Sequence, residues 1–314
     1  MMIPLNDPRR GRIMLRKHLL EEGYNDRAIA RRVQGGDWVR IRHGAYVDSA
    51  TWRSLDSADR HALVARAAAA QARTQVVVSH TSALAFADAP TWGIDLDVIH
   101  LTRSDGNAGR SEAGVQQHCG ALIDGDVMTV DGLDVMAPTR MALEVTMVAD
   151  VEASICVVSL LMHSGATTIQ ELRERYQLMR HWPDTLRTDL VLRLSDKRFE
   201  SVGECRTYYL CFRQGLPMPE PQYEVKDEHG KVIARVDFAW PELGVFLEFD
   251  GKVKYEKLLR EGERASDVVL LERDREREIC RVTGWRCIRI VWSDLARPAQ
   301  TAAMIRRALL PTAA

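Results

Sequence analysis

The chain has 314 residues, 46% of them hydrophobic and 28% charged, the balance of a water-soluble protein long enough for two or three domains with real cores. No apolar run approaches the ~18 residues that a bilayer span needs, and the arginines near the N-terminus precede no apolar stretch, so neither a membrane anchor nor a signal peptide is expected. The net charge of −1 hides an uneven layout: residues 1–49 hold ten basic side chains against six acidic ones, and residues 200–250 hold ten acidic against five basic. A basic head suits nucleic acid and an acidic patch suits a cation. The six cysteines show no C-x-x-C spacing, which reads as reduced, packed thiols in a cytoplasmic protein.

The head reads as a winged helix-turn-helix. Ile13, Leu15, Leu19 and Leu20 make an amphipathic helix over 12–22, which Gly23 ends. Asn25 can cap a second helix over 26–34, stopped by Gly35 and Gly36. Residues 38–47 then form a two-stranded wing around a tight His43-Gly44 turn. Arg27, Arg31 and Arg32 on the second helix, with Arg40 and Arg42 on the wing, are placed to meet DNA phosphates and a groove. The plainer alternative is a solvated basic face on a protein-interaction domain.

Residues 51–195 read as an α/β domain with little visible chemistry. An Ala-rich helix (57–73) leads to a short strand (75–78), and Ser79 caps a helix to 88. Strands over 96–102, 114–118 and 127–135 come next, then helices from Pro138, over 151–163, 168–180 and 183–194. Residues 106–114 read as an exposed loop. His80, His100 and His118 fit no zinc spacing and read as ordinary hydrogen-bonded histidines rather than as a metal trio. There is no P-loop and no dinucleotide-binding or nucleophile-elbow motif.

Residues 196–314 carry the chemistry. Ser201-Val-Gly-Glu204 has capping-box form and opens a helix over 201–213. Strands run over 222–226, 231–239 and 245–250, then a charged helix (266–282), a buried strand (285–292) and a terminal helix from Pro298, giving the order α-β-β-β-α-β. Pairing the second and third strands across residues 241–244 sets Trp240 opposite Val245 and Asp237 opposite Glu248, with Asp250 on the same face. Carboxylates gathered in this way repel one another unless something neutralises them, and a divalent metal with phosphate does so. The alternative is an acidic, solvated sheet surface. Arg273, Arg277 and Arg281 fall at i, i+4, i+8 and form one stripe, facing either phosphate or the neighbouring Glu272, Glu276 and Glu278.

This order, with Asp on the second strand and Glu on the third, resembles the PD-(D/E)XK nuclease core. Ser201-x-x-Glu204, Arg235-Val-Asp-Phe-Ala-Trp-Pro, Glu248-Phe-Asp-Gly-Lys and Gly284-Trp-Arg-Cys-Ile-Arg-Ile-Val-Trp resemble the domains similar to very-short-patch-repair endonucleases. Residues 1–195 resemble the AbiEi antitoxin family of type IV toxin–antitoxin systems, through Val39-Arg-Ile-Arg-His-Gly-Ala-Tyr-Val, Val78-Ser-His-Thr-Ser-Ala, Val98-Ile-His-Leu-Thr and Ala137-Pro-Thr-Arg140. The second resemblance implies DNA binding, transcriptional control and a cognate toxin partner, a setting common in phage defence.

The expectation is therefore an α/β multidomain chain: a winged helix-turn-helix (1–50), an AbiEi-like α/β domain (51–195) and a restriction-endonuclease-like αβββαβ core (196–314). The nuclease resemblance implies an Mg²⁺- or Mn²⁺-dependent endodeoxyribonuclease. Asp237 and Glu248 hold the metal, Glu204 completes its shell or orients water, Asp250 assists and Lys252 steadies the attacking hydroxide. The family motif ends Glu-x-Lys, whereas this chain has Asp250 at the lysine position, and Lys252 or Lys254 is the candidate to supply the cation from a neighbouring position. The rival expectation is an antitoxin or repressor with a degenerate nuclease fold; a structural adaptor without nucleic acid ranks last.

Overall fold

Met14 and Leu15, which the apolar spacing assigns to the first helix, form a short strand (β1, Met14–Leu15) in the computed structural model, which describes Asp7 and residues 10–251 and 275–310. The strand pairs with Tyr46 and Ala45, and Leu15 enters a core with Ala45 and Ala67. The first helix therefore starts only at Arg16 (α1, Arg16–Glu21), whose N–H donates to the Gly44 carbonyl at 2.8 Å. α2 (Asp26–Gln34) matches expectation, and the Asn25 side chain accepts from Ala28 N. β2 (Trp38–Arg42) and β3 (Ala45–Asp48) form the hairpin and complete a sheet of order β1-β3-β2.

The head is not a separate body. Two compact units divide the chain, Met1–Arg193 and Leu194–Ala314. Within the first, α3 (Ser49–Ser54) and α4 (Ser57–Ala70) come after the hairpin, and Leu63 of α4 is buried with Val47 and Leu55. Residues 1–50 thus share their core with α4, and the boundary expected at residue 50 falls inside one unit. A mixed six-stranded sheet of order β6-β7-β5-β4-β9-β8 comes next. It is built from β4 (Val76–Val78), β5 (Ile99–Arg103), β6 (Ser111–Glu112), β7 (Val115–Cys119), β8 (Val127–Val130) and β9 (Leu133–Met136). The expected single strand over 127–135 is a hairpin, turned at Asp131 and Gly132, both at positive φ. α5 (His80–Ala83) lies between β4 and β5. α6 (Pro138–Val148), α7 (Val151–His163), α8 (Ile169–Gln177) and α9 (Thr188–Leu194) come after the sheet.

The second unit opens with α10 (Val202–Arg213), then β10 (Glu220–Lys226), β11 (Val232–Trp240) and β12 (Val245–Asp250). α11 (described over 275–283), β13 (Arg286–Val291), α12 (Trp292–Leu295) and α13 (Pro298–Leu309) complete it. The sheet order is β10-β11-β12-β13, antiparallel except for the last pair. Both faces are covered. Ile279 of α11 packs with Val225, Val236, Ala239 and Phe246, while Tyr208 of α10 stacks on Phe238. Gly203 of α10 lies so close to the Phe249 ring that a Cβ there would stand 2.0 Å from it. Among the described residues no helix is long and apolar enough to cross a membrane.

Candidate functional site

The β11–β12 ladder runs Trp240↔Val245, Ala239↔Phe246, Phe238↔Leu247. One step further lie Asp237 and Glu248, and the Phe249 N–H donates to Asp237 Oδ2 at 2.8 Å. By strand alternation Glu248 and Asp250 share the face of Phe246, which α11 covers. Asp237, Glu248 and Asp250 line one cavity of about 400 Å³, together with Glu200, Gln222 and residues of α11.

The electrostatics of this cavity are unusual. Burial first, then the Asp237 charge, push the Glu248 carboxyl up to about 8, and a hydrogen bond between the two carboxyls also favours its protonated form. Arg275 and Arg289 pull the other way. Arg275 reaches Glu248 Oε1 at 3.3 Å and also donates to the Arg235 carbonyl. Arg289, beside Glu248 in the parallel β12–β13 register, stands 3.5 Å from Asp250 and 2.7 Å from Glu276.

Glu204 takes a different position from the one expected. It is buried and does not line the cavity. Its carboxylate accepts from Ser201 Oγ at 2.7 Å, Glu200 N at 2.9 Å and Gln222 Nε2 at 2.9 Å. Burial, then Asp237, raise its pKa. The capping box is half formed: Ser201 Oγ accepts from Glu204 N, but the Glu204 carboxylate reaches Glu200 N rather than the Ser201 N–H. Glu204 thus anchors Gln222, a residue at positive φ that does line the cavity.

Lys252, Lys254 and Arg273 lie outside the described residues. Arg277 is exposed and does not line the cavity, and Arg281 pairs with Glu278 at 2.6 Å, as a solvated helix face does. Sequence reasoning missed Gln222, Arg275 and Arg289. For Arg289 a signal existed: a charge set between Ile288 and Ile290 in an otherwise apolar stretch.

In the head, Arg27, Arg31, Arg32 and Arg40 are exposed and Arg42 is half-buried. Arg32 is held by Asp37 at 2.7 Å and lies over the Trp38 ring at 6.0 Å.

His80, His100 and His118 come together despite their spacing. β5 and β7 are parallel neighbours, and His80 starts α5 at φ 50°. Their ring nitrogens lie within 4.8 Å of one another, close enough for a metal ion to be considered. As they stand, His100 Nδ1 and His118 Nε2 share a hydrogen bond of 2.8 Å, and the His80 and His118 rings stack at 3.7 Å. One ion needs an in-plane lone pair from every ring, and nearly parallel stacked rings do not aim three at one point. Burial holds His100 and His118 down at about 4, so both are neutral near pH 7. Beside them, buried Arg140 pairs with Glu144 at 2.8 Å and Asp126 at 3.3 Å, and Arg175 closes the network on Asp126 at 2.7 Å.

No family model matches the chain. It is similar to two proteins of Mycobacterium tuberculosis, the uncharacterized protein MT2308 of strain CDC 1551 / Oshkosh and the uncharacterized protein Rv2248 of strain ATCC 25618 / H37Rv. Each is 26% identical over 278 residues, which covers 86% of this chain and 95% of the relative. The matched length exceeds that of either compact unit, so the likeness extends over both.

Proposed function

We propose that the chain is a DNA-binding protein whose second unit is a divalent-metal-dependent endonuclease of the PD-(D/E)XK kind. The observation that carries this reading is the Asp237–Glu248 pair, two carboxyls brought together in one cavity, where burial and the neighbouring charge raise the pKa of Glu248. Such a pair is unfavourable alone and is relieved by a cation, and strongly shifted carboxyls in a cleft mark functional sites. The donor set fits Mg²⁺ or Mn²⁺: Asp237, Glu248 and Asp250 offer hard oxygens, and no sulfur or imidazole lines the cavity among the described residues. When bound, such an ion polarises a phosphodiester and lowers the pKa of a bound water. Asp237 and Glu248 would hold it, and Glu204 would fix the Gln222 amide at the cavity wall. Arg275 and Arg289 supply positive charge at the cavity, where the family keeps a lysine. The helix, three strands, helix and strand of this unit support the family resemblance, and the strand, two helices and hairpin of the head support DNA binding.

A second reading, a repressor or antitoxin with a degenerate nuclease fold and a toxin partner, is favoured by one specific feature. Arginines already pair with Glu248 and Asp250, and Asp250 replaces the family lysine. The two readings part in one experiment: purified protein with linear, supercoiled and branched DNA, with and without Mg²⁺ or Mn²⁺, beside Asp237→Asn. Metal-dependent cleavage by the wild type, lost in the variant, is the expected outcome. No cleavage under any metal, with unimpaired promoter repression by Asp237→Asn, would establish the regulator instead.

A further inference from the structure

A basic concavity in the first unit is lined by no residue of α2 among the described residues. The turn between β2 and β3, the start of α1, the end of α4 and the edge formed by β5, β6 and β7 surround a cleft of about 1010 Å³. Arg16, Lys17, Arg42, Arg73, Arg103 and Arg110 line it, and Glu112 is the one acid among its lining residues. Its walls are tied together: Gln71 Nε2 donates to the His43 carbonyl at 2.9 Å, and Arg16 N to the Gly44 carbonyl at 2.8 Å. Gly44 sits at φ 69°, where a side chain would be strained.

The cations of this cleft are incompletely matched. Arg16 is held bidentate by Asp26, and Arg103 by Asp105. Arg110 is 3.8 Å from Glu112, a loose contact. Arg42 is half-buried, and its Nε is shielded from solvent without a hydrogen-bond partner. Burial alone lowers the Arg42 pKa, with no acid offsetting it. A half-buried guanidinium whose charge no neighbouring acid offsets is unfavourable, and an anionic group in the cleft would offset that charge. On the exposed side of α2, Arg32 is bound to Asp37.

We propose that this cleft, rather than the exposed side of α2, is where the phosphate backbone of DNA lies. The inference rests on the DNA-binding reading above and names the surface that serves it. An incoming phosphodiester chain would displace water and counterions from these cations. Arg42 is the central contact, and Lys17 and Arg73 act from the exposed rim.

The test is fluorescence anisotropy of the full chain with a labelled duplex across a salt series, in wild type and three variants. One variant is Arg42→Ala. The second is Lys17→Ala with Arg73→Ala, both exposed, so that it keeps the test informative if the first fails to fold; thermal melting checks both. The third is Arg27→Ala with Arg31→Ala on α2. Tenfold or greater weakening of affinity is expected in the cleft variants, with the slope of log K against log salt reduced by roughly 0.9 for each phosphate no longer neutralised. The α2 variant is expected to stay within about twofold. Weakening confined to the α2 variant would overturn the cleft assignment and leave DNA binding intact. Absence of duplex binding by the wild type at any salt would overturn DNA binding itself. If inorganic phosphate or ATP binds in an Arg42-dependent way while duplex does not, the cleft is a small-anion site and the proposal is wrong.

Discussion

Glu248 couples a proton to the metal it is proposed to hold. Its folded pKa of about 8 lies well above the ordinary carboxylate value of 4.5, so its contribution to the stability of the metal-free protein is fully present below about 4.5 and is lost as pH rises through about 8. A metal needs the ionised form. Affinity for Mn²⁺ should therefore rise about tenfold per pH unit up to roughly pH 8 and then level off, with close to one proton released per ion at pH 7. Calorimetry in buffers of different ionisation enthalpy measures that proton. An affinity flat between pH 6 and 8, with no proton released, would remove Glu248 from the site. The acid pair itself was legible at this scale, because one turn and strict alternation fix which side chains face each other. Arg275 and Arg289 were not, because an ion pair between elements depends on packing that no local pattern records.

At the scale of elements, the site depends on how α10 meets β12. Gly203 sits one residue before Glu204, and the Phe249 ring occupies the space its side chain would need. Phe249 is buried and meets Trp292 edge-on, centroids 5.2 Å apart. In an exposed helix Gly→Ala is worth up to about 1 kcal/mol of added stability. Here overpacking outweighs that gain, and Gly203→Ala should destabilise by about 1–3 kcal/mol, read from the denaturation midpoint. A variant as stable as the wild type would mean that the ring moves aside freely and that α10 is not held in place there. The capping pattern at Ser201 announced the start of this helix. It did not announce that the Glu204 carboxylate would turn to Glu200 N and Gln222, since the partner on β10 is set by the fold.

At the scale of the whole molecule, the described residues that line the acid cavity all belong to the second unit, which has its own core around Val225, Val236, Ala239, Phe246 and Ile279. A fragment of residues 194–314 should accordingly fold and bind Mn²⁺ with the affinity of the full chain, within about threefold. Calorimetry on both proteins checks this, and a folded fragment without metal affinity would show that the site needs the first unit. The opposite holds for the head. Leu15, Ala45 and Val47 share cores with Leu63 and Ala67 of α4, so residues 1–50 are not a free-standing domain.

The sequence by itself determined the features that short-range physics controls. Asn25 caps α2, Gly35 and Gly36 end it, the β11–β12 register comes from the turn after Trp240, and charge separates a basic head from an acidic strand pair. Only the tertiary structure decided the features that rest on long-range contacts. Met14 and Leu15 became strand because Ala45 and Tyr46 offered open backbone partners and Ala67 offered a core. His80, His100 and His118 met because β5 and β7 are adjacent, not because of any spacing between them. Arg42 is half-buried beside the β2–β3 turn, which Gln71 at the end of α4 holds through His43, and partial desolvation of that kind arises from packing rather than from residue type.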